Sequence, residues 1–453
     1  MEMIENAIAA FANFVWGFPL LILLLGGGLF FLFYSELIPV RYFRHAIAIL
    51  RGKYDDPEEK GQINHYQALS TALAATVGMG NISGVAVAIT MGGPGAIFWM
   101  WVSALLGVST KFFTCTLALM YRGKDSSGEI QGGPMYYIVE GLGRKWRPMA
   151  VFFALTGMFA VLPVFQANQL TQVFRDVMLI PNGWYAGWGS DLASGIIICI
   201  LMVLVIFGGI KRIGKVTGSM VPLMVVVYLI AVLYIVFKNF AEVGPAFSLI
   251  LEDAFTGNAV MGGALGALII TGVKRAAFSN EAGMGTAPLA HGAAKTNEAV
   301  REGLVAMLGP IIDTLIVCTL TALAIIVTGV WHDASADGIT LTALAFEKAL
   351  PGFGPYLLIL CVVFFSLSTM FAFPYYGAKC SSFIFGTGSI KWYNGIISLS
   401  AIVGSVVSLG VVVSFIDSAY ALMAFPNMLA ALLLAPKVKG ATRDYFARLN
   451  SMK

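Results

Sequence analysis

Apolar runs of about twenty residues or more, parted by short stretches that hold most of the charge, recur from one end of the chain to the other. A helix that crosses a hydrocarbon core needs ~20 mostly apolar residues. A sliding window finds about eleven such runs, near positions 12–36, 66–92, 95–121, 148–179, 190–210, 214–237, 262–290, 299–330, 353–386, 392–412 and 417–436. The expected fold class is therefore all-α, a polytopic membrane protein with about eleven crossing helices.

Composition agrees with that pattern. Of 453 residues, 58% are hydrophobic and 11% charged, against ~25% charged in soluble domains. The mean hydropathy is +0.83. The formal net charge of +4 is too small to point to nucleic acid, and its placement matters more than its sign. Arg41, Arg44, Arg51 and Lys53 follow the first run, and Arg122, Lys124, Arg144, Lys145 and Arg147 follow the third. Lys211, Arg212 and Lys215 form a basic turn, Lys295 and Arg301 follow the seventh run, and Lys391 follows the ninth. Lys437, Lys439, Arg443, Arg448 and Lys453 mark the tail. The alternate connections, at residues 181–191, 240–258, 331–341 and the turn near Asp417, carry few or no Lys or Arg. The positive-inside rule then places the N-terminus outside and the C-terminus in the cytosol, in a multi-pass protein of the cell (inner) membrane.

The first run is too long for a signal-peptide core, and the basic segment behind it reads as a stop-transfer. The stretch 134–142 is amphipathic and fits either a surface-lying helix or a solvated loop. Cys115, Cys199, Cys318, Cys361 and Cys380 all sit in apolar runs without CxxC spacing, as packed small hydrophobes do. His45, His65, His291 and His332 are scattered and give no metal-ligand spacing.

Two of the runs are interrupted in matching places. Thr76-Val77-Gly78-Met79-Gly80-Asn81 stands inside the second run, and Phe278-Ser279-Asn280-Glu281-Ala282-Gly283-Met284-Gly285 inside the seventh. The Gly-Met-Gly cores lie about 205 positions apart, as internal repeats of transporters do. Five runs belong to each copy, and because five is odd the two copies must have opposite topology. This five-plus-five inverted repeat divides the chain into residues 1–62 (an added N-terminal helix and cytosolic segment), 63–240, 241–436 and a basic tail, 437–453.

Glycine lets a helix unwind without steric cost. Unwound backbone at membrane depth is tolerated only where it lines a cavity. Freed N–H groups at a helix start favour a carboxylate, and freed carbonyls a hard cation. A zwitterionic amino acid with Na⁺ satisfies both. Other function classes fit less well. The chain has no GxSxG elbow, no HExxH and no histidine cluster for a membrane enzyme, and a channel has no use for two inverted broken helices.

The run Gly92-Gly93-Pro94-Gly95-Ala96-Ile97-Phe98-Trp99-Met100-Trp101-Val102-Ser103-Ala104-Leu105-Leu106-Gly107 resembles the signature of the sodium:alanine (alanine or glycine:cation) symporter family. Gly128-Glu129-Ile130-Gln131-Gly132-Gly133-Pro134-Met135-Tyr136-Tyr137 and the segment 279–285 are similar to the same family, and the resemblance covers essentially the whole chain. It implies the fold of the neurotransmitter:sodium symporters with an added N-terminal helix. It also implies sodium-driven uptake of a small neutral amino acid, alanine or glycine, by alternating access. The substrate and the bilayer are the expected partners, and a monomer is compatible with this reading.

The more distant likeness to the neurotransmitter symporters assigns positions. The carbonyls of Ala74 and Val77 would help hold a sodium ion, the coupling cofactor. Hydroxyls on the ninth run would complete the site, drawn from Ser366, Ser368 and Thr369; Ser366 and Thr369, three apart, share a face. Uncharged oxygens suit Na⁺. The substrate carboxylate would sit on backbone N–H groups near Gly78, Met79 and Gly80, flanked by Thr76 and Asn81. Carbonyls at Phe278 and Ser279, or the side chains of Asn280 and Glu281, would receive the amino group. Gln166, Asn168, Gln169 and Gln172 point in different directions on one helix, and Asn168 and Gln172, four apart, could line the pocket together. Phe278, Met370 and Trp99 are candidate walls. Lys274, Arg275, Glu281 and Asp313 are unusual intramembrane charges, either a buried ion-pair set or a gate. The alternative is a proton-coupled transporter of the same fold. In some such relatives a lysine on the fifth core helix replaces sodium, and residues 216–237 contain no Lys or Arg.

Overall fold

A computed structural model describes residues 2–56, 58–59, 61–207, 209–256, 264–333 and 336–451. Residues 257–263 and 334–335, which include the expected start of the seventh run, and Lys453 lie outside the described residues, as do the side chains of Lys211, Arg212 and Lys215. The described residues are helical almost throughout, with one two-stranded ribbon among them pairing 123–124 with 130–131.

The helices used below are α1 (Glu2–Val15), α2 (Phe18–Tyr34), α3 (His65–Thr76), α4 (Met79–Gly92), α5 (Ala96–Met120), α6 (Pro134–Leu142), α7 (Arg147–Ala160), α8 (Val164–Phe174), α9 (Trp188–Ile206), α10 (Gly209–Lys238), α11 (Val243–Thr256), α12 (Ala264–Asn280), α13 (Ala287–His291), α14 (Ala299–Val327), α15 (Gly338–Ala349), α16 (Gly354–Phe385), α17 (Ile390–Val406) and α18 (Leu409–Ser451). Among the described residues, six helical stretches are long and apolar enough to cross a membrane, and three bent pairs join them: α1 with α2, α3 with α4, and the end of α10 with α11. Helices α12 and α17, of 17 residues each, stand at the seventh and tenth expected runs, near the lower limit of a crossing length.

Local sequence explains the joints. Asn64 and Gln67 form a reciprocal capping box that starts α3: Oδ1 of Asn64 accepts from the Gln67 N–H at 2.8 Å, and Oε1 of Gln67 from the Asn64 N–H at 3.0 Å. The helix stops at Val77, which is extended (φ −73°, ψ 92°), and α4 leaves at 41° to α3. The outer face of α9 exposes Ile196, Ile197, Ile200 and Leu204, the surface a lipid-facing helix needs.

The charged connections gather in two groups. Arg448 pairs with Glu298 at 2.7 Å, Arg301 with Glu59 at 3.7 Å, and Arg122 caps the carbonyls of Gly292 at 3.0 Å and Thr296 at 3.4 Å. Basic connections therefore meet at one end of the bundle. The alternate set meets elsewhere: Thr340 bonds Asp176 at 2.7 Å, Arg175 pairs with Asp191 at 2.8 Å, and Lys238 bonds the Ala349 carbonyl at 2.6 Å.

Two expectations are corrected, and the form of the tail is added. Asp417 is no turn residue: α18 begins at Leu409, and the preceding break falls at 407–408. The basic tail is helical, a continuation of α18 to Ser451. The stretch 134–142 is helical and buries Pro134 through Ile138 in the protein, so it is not a solvated loop. Tyr137 bonds Asn427 there, and Tyr136 meets Phe383 edge-on at 5.4 Å.

Candidate functional site

Both Gly-Met-Gly cores are breaks. At the first, Gly78 is extended, and a Cβ on it would fall on the Thr369 hydroxyl of α16. Gly80 comes so close to the second break that a Cβ would lie 3.1 Å from Ser279 Cα. The second break spans 281–286. Gly283 (φ 85°) and Gly285 (φ 99°) take left-handed backbone that only glycine adopts freely. Glu281 takes it too (φ 56°), a strained choice for a residue with a Cβ. Its carboxylate is held by Thr286 Oγ1 at 2.6 Å and the Tyr420 hydroxyl at 3.4 Å.

Asp313 ties the two breaks together. It sits in the π-helical stretch of α14, fully buried, where an extra residue per turn turns its side chain inward. Its Oδ2 accepts from Asn81 Nδ2 at 2.8 Å, and its Oδ1 from Ser279 Oγ at 2.7 Å and Thr314 Oγ1 at 2.8 Å. Asn81 in turn accepts the Gly78 N–H at 2.8 Å. One carboxylate thus orients a residue just past the first break and a residue just before the second. Asn280 bonds Thr314 at 2.9 Å and accepts the Ala282 N–H at 2.9 Å. The N–H groups of Met79 and Gly80 open α4 with no preceding turn to bond, and the positive end of a helix dipole favours an anion.

Beside the first break, Thr369 Oγ1 approaches the Ala74 carbonyl at 3.4 Å and its own Phe365 carbonyl at 3.1 Å. Ser366, on the same face, is buried with its hydroxyl unpartnered. Ser368 bonds back to Phe365 at 3.0 Å. Thr369 shares that back-bond, but its hydroxyl also reaches across to α3, whereas the bond recorded for Ser368 is to its own helix. Val77 and Met370 are buried close by in sequence to these groups. Phe278 forms an aromatic wall, edge-on to Phe165 at 4.9 Å and to Tyr420 at 5.8 Å. The Arg275 guanidinium sits 5.7 Å over the Phe278 ring and pairs with Asp417, whose carbonyl also accepts from Trp16 at 2.8 Å.

Several predicted residues lie elsewhere. Asn168 donates to the carbonyls of Gly404 at 3.0 Å and Val407 at 2.8 Å, which the end of α17 leaves free. Gln172 binds Asp337 at 3.2 Å and Thr340 at 3.0 Å. Both amides close the end away from the basic connections rather than lining the breaks. The Thr76 hydroxyl bonds back to Ala72 at 3.1 Å. Trp99 packs on Gly272 and Phe255, not on the Phe278 wall. The four charges do not form one ion-pair cluster. Lys274 lies 5.8 Å over the Trp16 ring, Arg275 pairs with Asp417, and Glu281 and Asp313 take separate hydroxyl and amide partners.

One buried group was given no role in the sequence reading and another was passed over. Gln166, next to Phe165, is buried with Oε1 unpartnered. Lys111 is buried in mid-α5, its ammonium beside Gly309. An intramembrane lysine could have been flagged from sequence alone, whereas nothing in the spacing marked Gln166 among four amides.

The sodium:alanine symporter family model matches residues 1–453. A protein of Methanococcus maripaludis, the sodium/alanine symporter AgcS, is 40% identical over 439 residues, covering 96% of this chain and 95% of its own. A Bacillus subtilis protein named as a putative sodium/proton-dependent alanine carrier, YrbD, is 34% identical over 459 residues, covering 97% and 92%. Among solved structures, that of MhsT in complex with L-phenylalanine superimposes with a TM-score of 0.61 at 14% identity, over 83% of this chain and 89% of that one. The likeness gives the fold: the chain shares the helical architecture of that transporter.

Proposed function

Because the chain belongs to the sodium:alanine symporter family, and so is a cation-coupled amino-acid symporter of a membrane and not an enzyme, we propose that it couples Na⁺ to the uptake of alanine or glycine. One observation carries the ion: Ser366 presents a buried, unpartnered hydroxyl on the face where Thr369 reaches the Ala74 carbonyl at the first break. An orphaned buried hydroxyl costs about 1–3 kcal/mol unless something receives it. Oxygen ligands without net charge match a hard monovalent cation. Ala74 and Val77 would supply carbonyls, and Ser366 and Thr369 hydroxyls.

The substrate fits between the breaks. Its carboxylate goes to the N–H groups of Met79 and Gly80 at the start of α4, beside Gly78 and Asn81. Its amino group goes to acceptors at Phe278, Ser279 and Asn280, with the unpartnered Gln166 oxygen as a further acceptor. The close approach of Gly80 to Ser279 and the Phe278 ring, braced on two sides, favour a substrate side chain no larger than a methyl group. The Arg275–Asp417 pair above Phe278 would serve as a gate on the side opposite the basic connections. The proposed orientation is N-terminus outside and C-terminus in the cytosol, with residues 63–240 and 241–436 as the inverted halves. Every residue invoked comes from one chain, so a monomer suffices.

Proton coupling is the second reading, favoured by the YrbD relative and by two buried carboxylates, Glu281 and Asp313, at the second break. Uptake of labelled alanine into proteoliposomes separates the two. An inward Na⁺ gradient should drive accumulation, and K⁺ replacement should abolish it. Ser366→Ala should raise the Na⁺ concentration for half-maximal uptake about tenfold, the effect of losing one neutral ligand. Accumulation on a proton gradient alone, unchanged in Ser366→Ala, would assign the proton instead.

A further inference from the structure

Away from the breaks, three buried titratable side chains meet at the end of the bundle that holds the basic connections. His65 opens α3, His291 closes α13, and Glu302 lies in the first turn of α14. All three are at most 1% exposed. Glu302 Oε1 accepts from His291 Nδ1 at 2.5 Å, and Oε2 accepts from His65 Nδ1. A carboxylate only accepts, so both Nδ1 atoms carry protons. Both Nε2 atoms are buried without a partner, which suits neutral rings, since a proton there would be an orphaned donor.

The backbone reinforces this cluster. Ile63 and Ala294 form a parallel bridge, with the Gln62 N–H on the Ala293 carbonyl at 2.9 Å and the Lys295 N–H on the Ile63 carbonyl at 2.5 Å. A Cβ on Gly61 would collide with the backbone of 294–295. Arg122 clasps the same turn through the carbonyls of Gly292 and Thr296, and Lys379 bonds the Leu289 carbonyl at 2.8 Å. So α3, the half before the first break, is strapped to α13, the half after the second.

We propose that His65, Glu302 and His291 are positioning residues that latch the gate on this face, holding α3 against α13 until the loaded site lets them part. Opening a path from this side to the breaks requires α3 to leave α13. Glu302 then loses both donors at once, and only entering water can replace them. A half-open state, dry but unbonded, is costly. The latch therefore has two stable conditions, bonded and dry or parted and wet, as a gate in alternating access requires.

The inference rests on the transport reading and orientation above, and its test separates the three. Ala68→Cys places a thiol on the buried face of α3 three residues from His65. Inside-out and right-side-out vesicles are treated with an impermeant maleimide, and labelling is read residue by residue by mass spectrometry, with the five native cysteines as internal references. Adding Glu302→Ala should raise the cytosolic labelling rate of the new thiol by about tenfold or more, the population shift from losing two bonds to a charged acceptor. Glu302→Gln should stay near the parent, because one imidazole can change tautomer and accept from the new amide. An unchanged rate in Glu302→Ala, equal rises from both faces, or a Gln variant as open as the Ala variant would overturn the latch. If Glu302→Ala fails to reach the membrane, the double variant His65→Ala with His291→Ala, which removes both donors, is held to the same criterion. A rise confined to the outer face keeps the latch and retires the orientation. Absent alanine uptake in the parent retires the transport reading and leaves the labelling result standing.

Discussion

Asp313→Ala should abolish alanine uptake, and Asp313→Asn should preserve a tenth of it or more. The carboxylate is fully buried and accepts from Asn81, Ser279 and Thr314. Truncation to alanine orphans these donors at about 1–3 kcal/mol each. Two such losses already correspond to about thirtyfold or more in the population of the correctly joined breaks. Asparagine is a sharper probe. Its oxygen can keep the Asn81 amide, and its NH₂ can face Ser279 and Thr314, whose hydroxyls rotate to accept. Geometry survives and the charge goes. Uptake into proteoliposomes, normalised to protein that elutes monodisperse in gel filtration, checks both variants. An inactive, well-folded Asp313→Asn would mean that the charge itself takes part in coupling, as in the proton reading.

The breaks were legible because their cause is local. A helix interrupted by Gly-Met-Gly among polar side chains needs no tertiary partner to be seen, and both interruptions fall where those residues stand. The facing of the third-helix amides was not legible. Asn168 and Gln172 share a face, but which neighbour covers it depends on where α17 ends and leaves the carbonyls of Gly404 and Val407 free. Asp313 was visible as an intramembrane charge, while its partners required the π-helical turn. The four proposed gate charges divide for the same reason: sequence shows that a charge is buried, and packing decides with whom. His65, His291 and Glu302 had no signal at all. Their spacing matches no ligand motif, and only the crossing of two broken helices brings them to one carboxylate.

The alternation of basic and non-basic connections carried further than any single motif. It rests on the translocation energetics of charge, and the structure brings distant loops of one kind together. Arg448 reaches Glu298 and Arg301 reaches Glu59 at one end, while Asp176 meets Thr340 at the other. The same placement gives the latch and the Arg275–Asp417 pair separate ends of the molecule. A transporter with one substrate site between two barriers needs that separation, because each barrier must open while the other stays closed.

Gly78→Ala should reduce Na⁺-driven uptake about a hundredfold, and combining it with Thr369→Ala should cost little more. Gly78 is extended rather than left-handed (φ −160°), so an added methyl is excluded by a neighbour and not by backbone strain. That neighbour is the Thr369 hydroxyl, with the Phe365 carbonyl at 3.5 Å behind it. Thr369 can escape only by rotating its hydroxyl off the Ala74 carbonyl, which removes a proposed sodium ligand and widens the break. Both effects act on one contact, so the two substitutions should be strongly non-additive, with a coupling of about 1–3 kcal/mol in a double-mutant cycle on half-maximal Na⁺ concentration. Gly440→Ala, on the exposed tail helix with nothing near its Cβ, is the matched control and should transport as the parent does. Additive losses from Gly78→Ala and Thr369→Ala would separate the break from the hydroxyl and place the ion away from α16.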